Sequence, residues 1–219
     1  MSAALDNPAT LPAALRYFVR HASPRLVFGL TLATLGYRLT LGRFDWRDAA
    51  IVAGVLAAWP LLEWLIHVFV LHFEPFELRG RMIDPFVSAK HRAHHRDPWR
   101  LDTLFIPLRS YWLTVPLIFV SWPLLFDGPQ AFTGIAFVFA MTLHYEWVHF
   151  LVHTRYTPKT APYRRMWRHH RLHHCKNEHY WLGVTTQLGD RLLGTAADSR
   201  DVPTSATCRT LGHEDTLGT

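Results

Sequence analysis

The sequence predicts an all-α fold whose framework is four apolar helices able to cross a membrane. Three observations carry this prediction. Four stretches are apolar over helical lengths: Leu26 to Leu41, Ala49 to Phe73, Tyr111 to Phe126 and Ala131 to Val152. Histidines recur at offsets of three and four, the spacing that stacks side chains on one face of a helix. Lysine and arginine collect in the segments that an even number of crossings would put on one side.

Taken in chain order, residues 1–25 read as an amphipathic cytosolic approach segment, with Leu15, Tyr17, Phe18 and Val19 among Arg16 and Arg20. Residues 26–195 hold the spans and the histidine clusters, and 196–219 read as a polar, loosely ordered tail. Crossing the hydrocarbon takes roughly 20 apolar residues, so the first and third stretches are short for the task. A soluble helical protein with a very apolar core is the competing reading, and a mean hydropathy of +0.03 is compatible with it. Charge favours the membrane. Arg79 to Arg109 contains seven basic residues, whereas Arg43 and Arg47 are nearly offset by Asp45 and Asp48, and Asp127-Gly128-Pro129 has none. The positive-inside rule then puts both termini and the central loop in the cytoplasm of a multi-pass protein. Gly42, Pro75, Gly80, Asp97-Pro98, Gly128-Pro129, Pro158 and Pro162 mark the joints.

Composition narrows the function. The net charge of +6 is not gathered into one run or helix stripe, so no nucleic-acid partner is indicated, and an anionic inner leaflet accounts for the excess as well. Cys175 and Cys208 are too few for a disulfide framework, and the N-terminus lacks the pattern of a cleaved signal, so both thiols are read as reduced. Against only 18% charged residues stand 15 His, 14 Phe and 9 Trp, which combines apolar walls with metal-ligating side chains.

The histidines fall into boxes: His67 and His72 in HVFVLH, His91, His94 and His95 in HRAHH, His149 and His153 in HFLVH, and His170, His173 and His174 in HHRLHH. Three boxes contain an i, i+4 pair, so their rings project from one helix face and can share a metal. His67 and His72 are five apart, about 140° around a regular helix, so irregular backbone is expected there, with Pro75 ending the helix soon after. A lone histidine is more often a cap or polar contact, and His21, His144, His179 and His213 are read that way. Buried imidazoles in four clusters on one membrane face are best explained by a shared cation. Imidazole suits Zn, Cu, Fe and Ni. Ten ligands exceed what one first-row ion accepts, so a dinuclear site with open positions is expected. Neutral histidines add no negative charge, so Glu63, Asp102, Glu146, Glu178 and Asp190 are candidates for supporting carboxylates.

These boxes, followed by KNEHYWLGVTTQLGDRLLGT, resemble the fatty acid hydroxylase superfamily of membrane di-metal oxygenases, with the tail most like the fatty acid (sphingolipid) 2-hydroxylases. The likeness runs from about Glu63 to Thr195. It implies a four-helix membrane domain under a cytosolic helical cap, with two non-haem iron ions activating O2, a site for which zinc competes well. Carried over by motif, the ligands are His67, His72, His91, His94, His95, His149, His153, His170, His173 and His174, while His169 matches a non-ligand position. The activity implied is a monooxygenase that hydroxylates a lipid acyl chain at C2 with two electrons. The sequence has no stretch corresponding to a fused cytochrome domain, so a separate donor is expected, a b-type cytochrome or a ferredoxin with its reductase. The boxes are shared with sterol desaturases and carotenoid hydroxylases, which are the rival enzymes. From another class, the rivals are a histidine-rich metal transporter or a haem electron carrier, and a transporter would place ligands at mid-span instead of at span ends.

Overall fold

The computed structural model describes residues 7–213. Its helices are α1 (Leu11–Phe18), α2 (Ala22–Thr40), α3 (Trp46–Ile66), α4 (Phe86–Arg96), α5 (Tyr111–Leu125), α6 (Gln130–Val152), α7 (Ala161–Cys175) and α8 (Leu188–Leu193). A single hairpin, β1 (Phe76–Leu78) with β2 (Arg81–Ile83), is the one departure from an all-α fold among the described residues. Its register pairs Phe76 with Ile83 and Leu78 with Arg81. Arg79 and Gly80 both take positive φ (50° and 75°), the geometry that two-residue hairpin turns require. Strands of three residues are too short to show an alternating pattern, which is why the sequence does not announce them.

All four predicted apolar helices form, but three segments, not four, are long and apolar enough to cross a membrane: Trp46–Leu71, Leu101–Leu125 and Gln130–Val152. The exception is α2, whose 19 residues include Arg25 and Arg38. On α5, Trp112, Leu113, Leu124 and Leu125 are each at least 71% exposed, as a lipid-facing surface would be.

The chain divides into two compact units. One comprises Leu15–Trp59 and Phe105–Trp147. Its core is Val27, Tyr111, Ile135 and Phe139, with Val115, Ile118 and Trp122 packed against it. Gly134 is required here, because a Cβ would lie 2.0 Å from the Trp122 ring. Buried Arg38 is satisfied by Asp48 (2.6 Å) and by the carbonyl of Gly42 (2.6 Å), which offsets the cost of a charge in apolar surroundings.

The other unit comprises the chain up to Ala14, Pro60–Leu104 and the chain from Val148 on, and it contains every box histidine. At the end of α3 the backbone widens into a π turn, His67–Leu71, as the five-residue spacing predicts. The N–H of His72 donates to the carbonyl of His67 (2.9 Å), an i→i+5 bond. Helix α4 begins after Pro85 and ends before Asp97-Pro98, and α7 starts on Ala161-Pro162, where a missing N–H costs nothing. The described part of the tail is held in place, contrary to expectation. Val202 and Cys208 are buried, and the N–H of Ser205 donates to the carbonyl of Lys176 (2.7 Å).

Candidate metal centre

The ten box histidines converge in two groups of five, each with its ligand atoms within 4.8 Å of one another. The first is His67, His72, His91, His95 and His173; the second is His94, His149, His153, His170 and His174. His21, His144, His169, His179 and His213 lie outside both groups.

The boxes are not allotted one to a group. On α4 the i, i+4 pair His91 and His95 faces the first group, while His94 turns to the second. On α7 the pair His170 and His174 belongs to the second and His173 to the first. Residues four apart are rotated by about 40° on a helix, and a residue three along points about 60° to the other side, so each helix straddles both groups. The π turn brings the rings of His67 and His72 to 4.8 Å, and the rings of His95 and His174, one from each group, are 4.1 Å apart.

The donor set fits metal ions. Backbone carbonyls orient three rings through Nδ1: Leu182 for His67 (2.5 Å), Cys208 for His95 (2.9 Å) and Tyr180 for His173 (2.9 Å). A carbonyl only accepts, so Nδ1 carries the proton and Nε2 turns a lone pair inward. His149 is bonded to the backbone of Leu104. Nε2 of His67, His72 and His173, and both ring nitrogens of His94 and His153, are buried with no hydrogen-bond partner. Leaving each such nitrogen unmatched costs about 1–3 kcal/mol. The Nε2 atoms of His91 and His95 are 3.2 Å apart, and those of His170 and His174 are 3.0 Å apart. Nitrogens bound at about 2.1 Å to one ion and at right angles to each other lie about 3.0 Å apart.

Burial, and then the mutual repulsion of charged neighbours, holds His72, His91, His94, His153, His170 and His174 well below the usual histidine range. Burial and nearby His95 do the same to His173, and burial pushes His95 down to about 3. At neutral pH these imidazoles are therefore unprotonated, the form that binds a metal.

The candidate carboxylates do not touch the rings. Glu63, 5% exposed, accepts from the N–H of Val184, the N–H of Thr185 (2.7 Å) and the Thr185 hydroxyl. Asp190 accepts from the N–H groups of Leu182 (2.8 Å) and Gly183 (2.9 Å) and from the Thr195 hydroxyl (2.6 Å). Together they clamp the 182–185 loop whose Leu182 carbonyl orients His67. Glu178 takes the hydroxyls of Ser205 (3.0 Å) and Thr207, steadying the turn that carries Cys208. Asp102 pairs with Arg100 on the surface, and Glu146 accepts from Ser23 (2.6 Å) and the N–H of Ile106 (2.9 Å), so neither supports the histidine groups.

Sequence reading also misses several supporting residues. Gly183 is one, because a Cβ there would lie 2.0 Å from the carbonyl oxygen of Thr186. Asn7 donates to the carbonyl of His153 (3.2 Å) and accepts from the N–H of Arg155 (2.8 Å). Arg171 donates to the carbonyls of Val152 (3.0 Å) and Thr154 (2.8 Å) and lies over the rings of Trp167 and Trp99. A glycine inside GVTT and a lone Asn near the N-terminus carry no distinctive motif.

Fold and site together define a class: helical proteins with apolar, membrane-capable segments and paired histidine clusters able to hold metal ions. The family model for fatty acid hydroxylase matches residues 52–195, and the chain belongs to that family. It is similar to the dihydroceramide fatty acyl 2-hydroxylase FAH2 of Arabidopsis thaliana, with 28% identity over 66% of this chain and 60% of that protein. It is 27% identical to the fatty acid 2-hydroxylase of Rattus norvegicus, over 66% of this chain and 38% of that protein. The ceramide very long chain fatty acid hydroxylase SCS7 of Saccharomyces cerevisiae is 29% identical over 63% and 35% of the two chains. The chain thus spans less than two thirds of the length of these relatives. A solved structure of full-length Scs7p, with only its hydroxylase domain visible, shares the fold at a TM-score of 0.67 and 24% identity, over 84% of this chain and 68% of that one.

Proposed function

We propose that this protein is an O2-dependent membrane hydroxylase that inserts one oxygen atom at C2 of a lipid acyl chain. The observation that carries the reading is the pair of five-imidazole groups, nine of the ten rings buried, in a chain of the fatty acid hydroxylase family. The reaction converts C–H and O2, with two electrons and two protons, to C–OH and water. Two iron ions held by the ten histidines would supply O2 activation and the oxidising power that an unactivated C–H bond demands. The chain's own part is to keep the imidazoles unprotonated, to aim Nε2 of His67, His95 and His173 through the carbonyls of Leu182, Cys208 and Tyr180, and to exclude water by burial.

The electrons come from a separate donor, a b-type cytochrome or a ferredoxin with its reductase. The histidines sit at the ends of two candidate spans and beyond them, which favours an interfacial enzyme over a transporter with mid-span ligands. Basic residues of α4 and both ends of the described chain lie in the same compact unit as the histidines, which by the positive-inside rule supports a cytoplasmic metal site with both termini on that side.

The test is metal analysis of anaerobically purified protein coupled to lipid profiling. Two irons per chain and a rise in 2-hydroxy acyl chains in expressing cells are expected; His94→Ala and His173→Ala should each abolish the hydroxylation and lower the metal content toward one ion per chain. Changes in sterols or carotenoids with unaltered acyl chains would refute the substrate assignment.

A further inference from the structure

Helices α7 and α8 border a cleft that contains none of the ten box histidines. Its cavity of about 570 Å³ is lined by Arg164, Arg165, Arg168, His169 and Arg191, with Asp198 opposing them. A neighbouring cavity of about 210 Å³ shares Arg165 and Arg191 and adds the apolar side chains of Pro162, Met166 and Leu188. Four arginines therefore line the cleft with a single aspartate, and Asp198 is itself paired with Arg200 (2.7 Å). Among the described residues, no ion pair engages Arg164, Arg165 or Arg191. Like charges gathered in a concave site repel one another until an anion enters, and the planar fork of arginine matches a phosphate better than any other side chain does.

The position of α8 indicates which anion. Gly189 packs so closely on α3 that a Cβ would lie 2.4 Å from the carbonyl oxygen of Pro60, and Trp64 donates to Thr195 just beyond α8 (2.9 Å). Pro60 and Trp64 belong to the apolar segment Trp46–Leu71. On this short helix Leu188, Leu192 and Leu193 are 46%, 68% and 42% exposed, beside Arg191. Exposed leucines next to arginines, docked on a membrane-capable helix, are what a helix lying in the bilayer interface presents: apolar side chains enter the acyl boundary and cations meet phosphates. An acidic polypeptide would satisfy the arginines and leave the leucines uncovered.

We propose that this cleft binds the phosphate group of an anionic membrane lipid, with Arg164, Arg165, Arg168 and Arg191 on the phosphate and the α8 leucines against its acyl chains. The proposal does not rest on the hydroxylase reading. The test is native mass spectrometry of the purified full-length chain in detergent, with dioleoyl phosphatidic acid as the probe and dioleoylglycerol as the uncharged control. The wild type should retain phosphatidic acid in preference to the diacylglycerol. Arg165→Ala with Arg168→Ala should lower its apparent affinity by about tenfold or more, and Leu192→Ser with Leu193→Ser should lower it with the arginines intact. Both pairs are exposed, so an unchanged melting temperature is expected, and Arg165→Lys with Arg168→Lys should restore part of the binding. Equal retention by wild type and the alanine pair would overturn the proposal. So would displacement of the lipid by millimolar inorganic phosphate with no effect of the leucine changes, which would mark a free-phosphate site. Capture of poly-L-glutamate with no preference for phosphatidic acid would identify a surface for acidic polypeptides and also overturn it.

Discussion

Replacing Glu63 by alanine should weaken one ion of the pair and spare the other. The carboxylate receives two backbone N–H groups, from Val184 and Thr185, and the Thr185 hydroxyl. At about 1 kcal/mol or more for each buried donor left unmatched, the 182–185 loop loses about 3 kcal/mol of restraint. Asp190 still holds Leu182 and Gly183, so the loop loosens without leaving its place. The Leu182 carbonyl then orients His67 less well, and removing such a support typically costs 10–100-fold in metal affinity, about 1.4–2.7 kcal/mol. His67 serves only the first group, while the second is anchored elsewhere, by Leu104 on His149 and by Asn7 on His153. Chelator competition on the loaded protein should therefore show two classes of site, with the weaker moving 10–100-fold in Glu63→Ala and the other unmoved. Asn7→Ala should produce the complementary result, weakening the second group. Two sites of wild-type affinity in Glu63→Ala, or a parallel loss at both, would refute the division of labour.

Three further outcomes are expected. Because the box histidines outside the spans bind protons less readily when folded, the unfolded chain holds more protons below its histidine pKa of about 6.5. Their contribution is intact above that value and falls as pH drops toward about 3, by up to about 1.4 kcal/mol per pH unit per ring, so metal content and melting temperature should both decline between pH 7 and 5. Gly183→Ala should lower the melting temperature and the first-site affinity together, because its Cβ meets the Thr186 carbonyl at 2.0 Å, and an unchanged melt would contradict the packing. His94→Ala should cut bound metal from two ions toward one per chain, while His179→Ala, at an exposed position outside both groups, should leave the metal count at two, as read by elemental analysis.

Local signals in the sequence determined the apolar helices, the grouping of histidines on single helix faces and the widened turn at His67–His72. Helical periodicity and spacings of three, four and five residues act within a turn or two of backbone, so residue order alone expresses them. Tertiary structure decided how the boxes divide between two centres, and of the five candidate carboxylates it put Glu63, Asp190 and Glu178 behind the rings and Asp102 and Glu146 away from them. It also decided what holds each ring. Leu182 lies 115 residues from His67, and Cys208 lies 113 residues from His95. The groups that meet the imidazoles there are backbone carbonyls, which every residue carries, so no side chain marks them in the sequence. Only the path of the folded chain selects which carbonyl arrives.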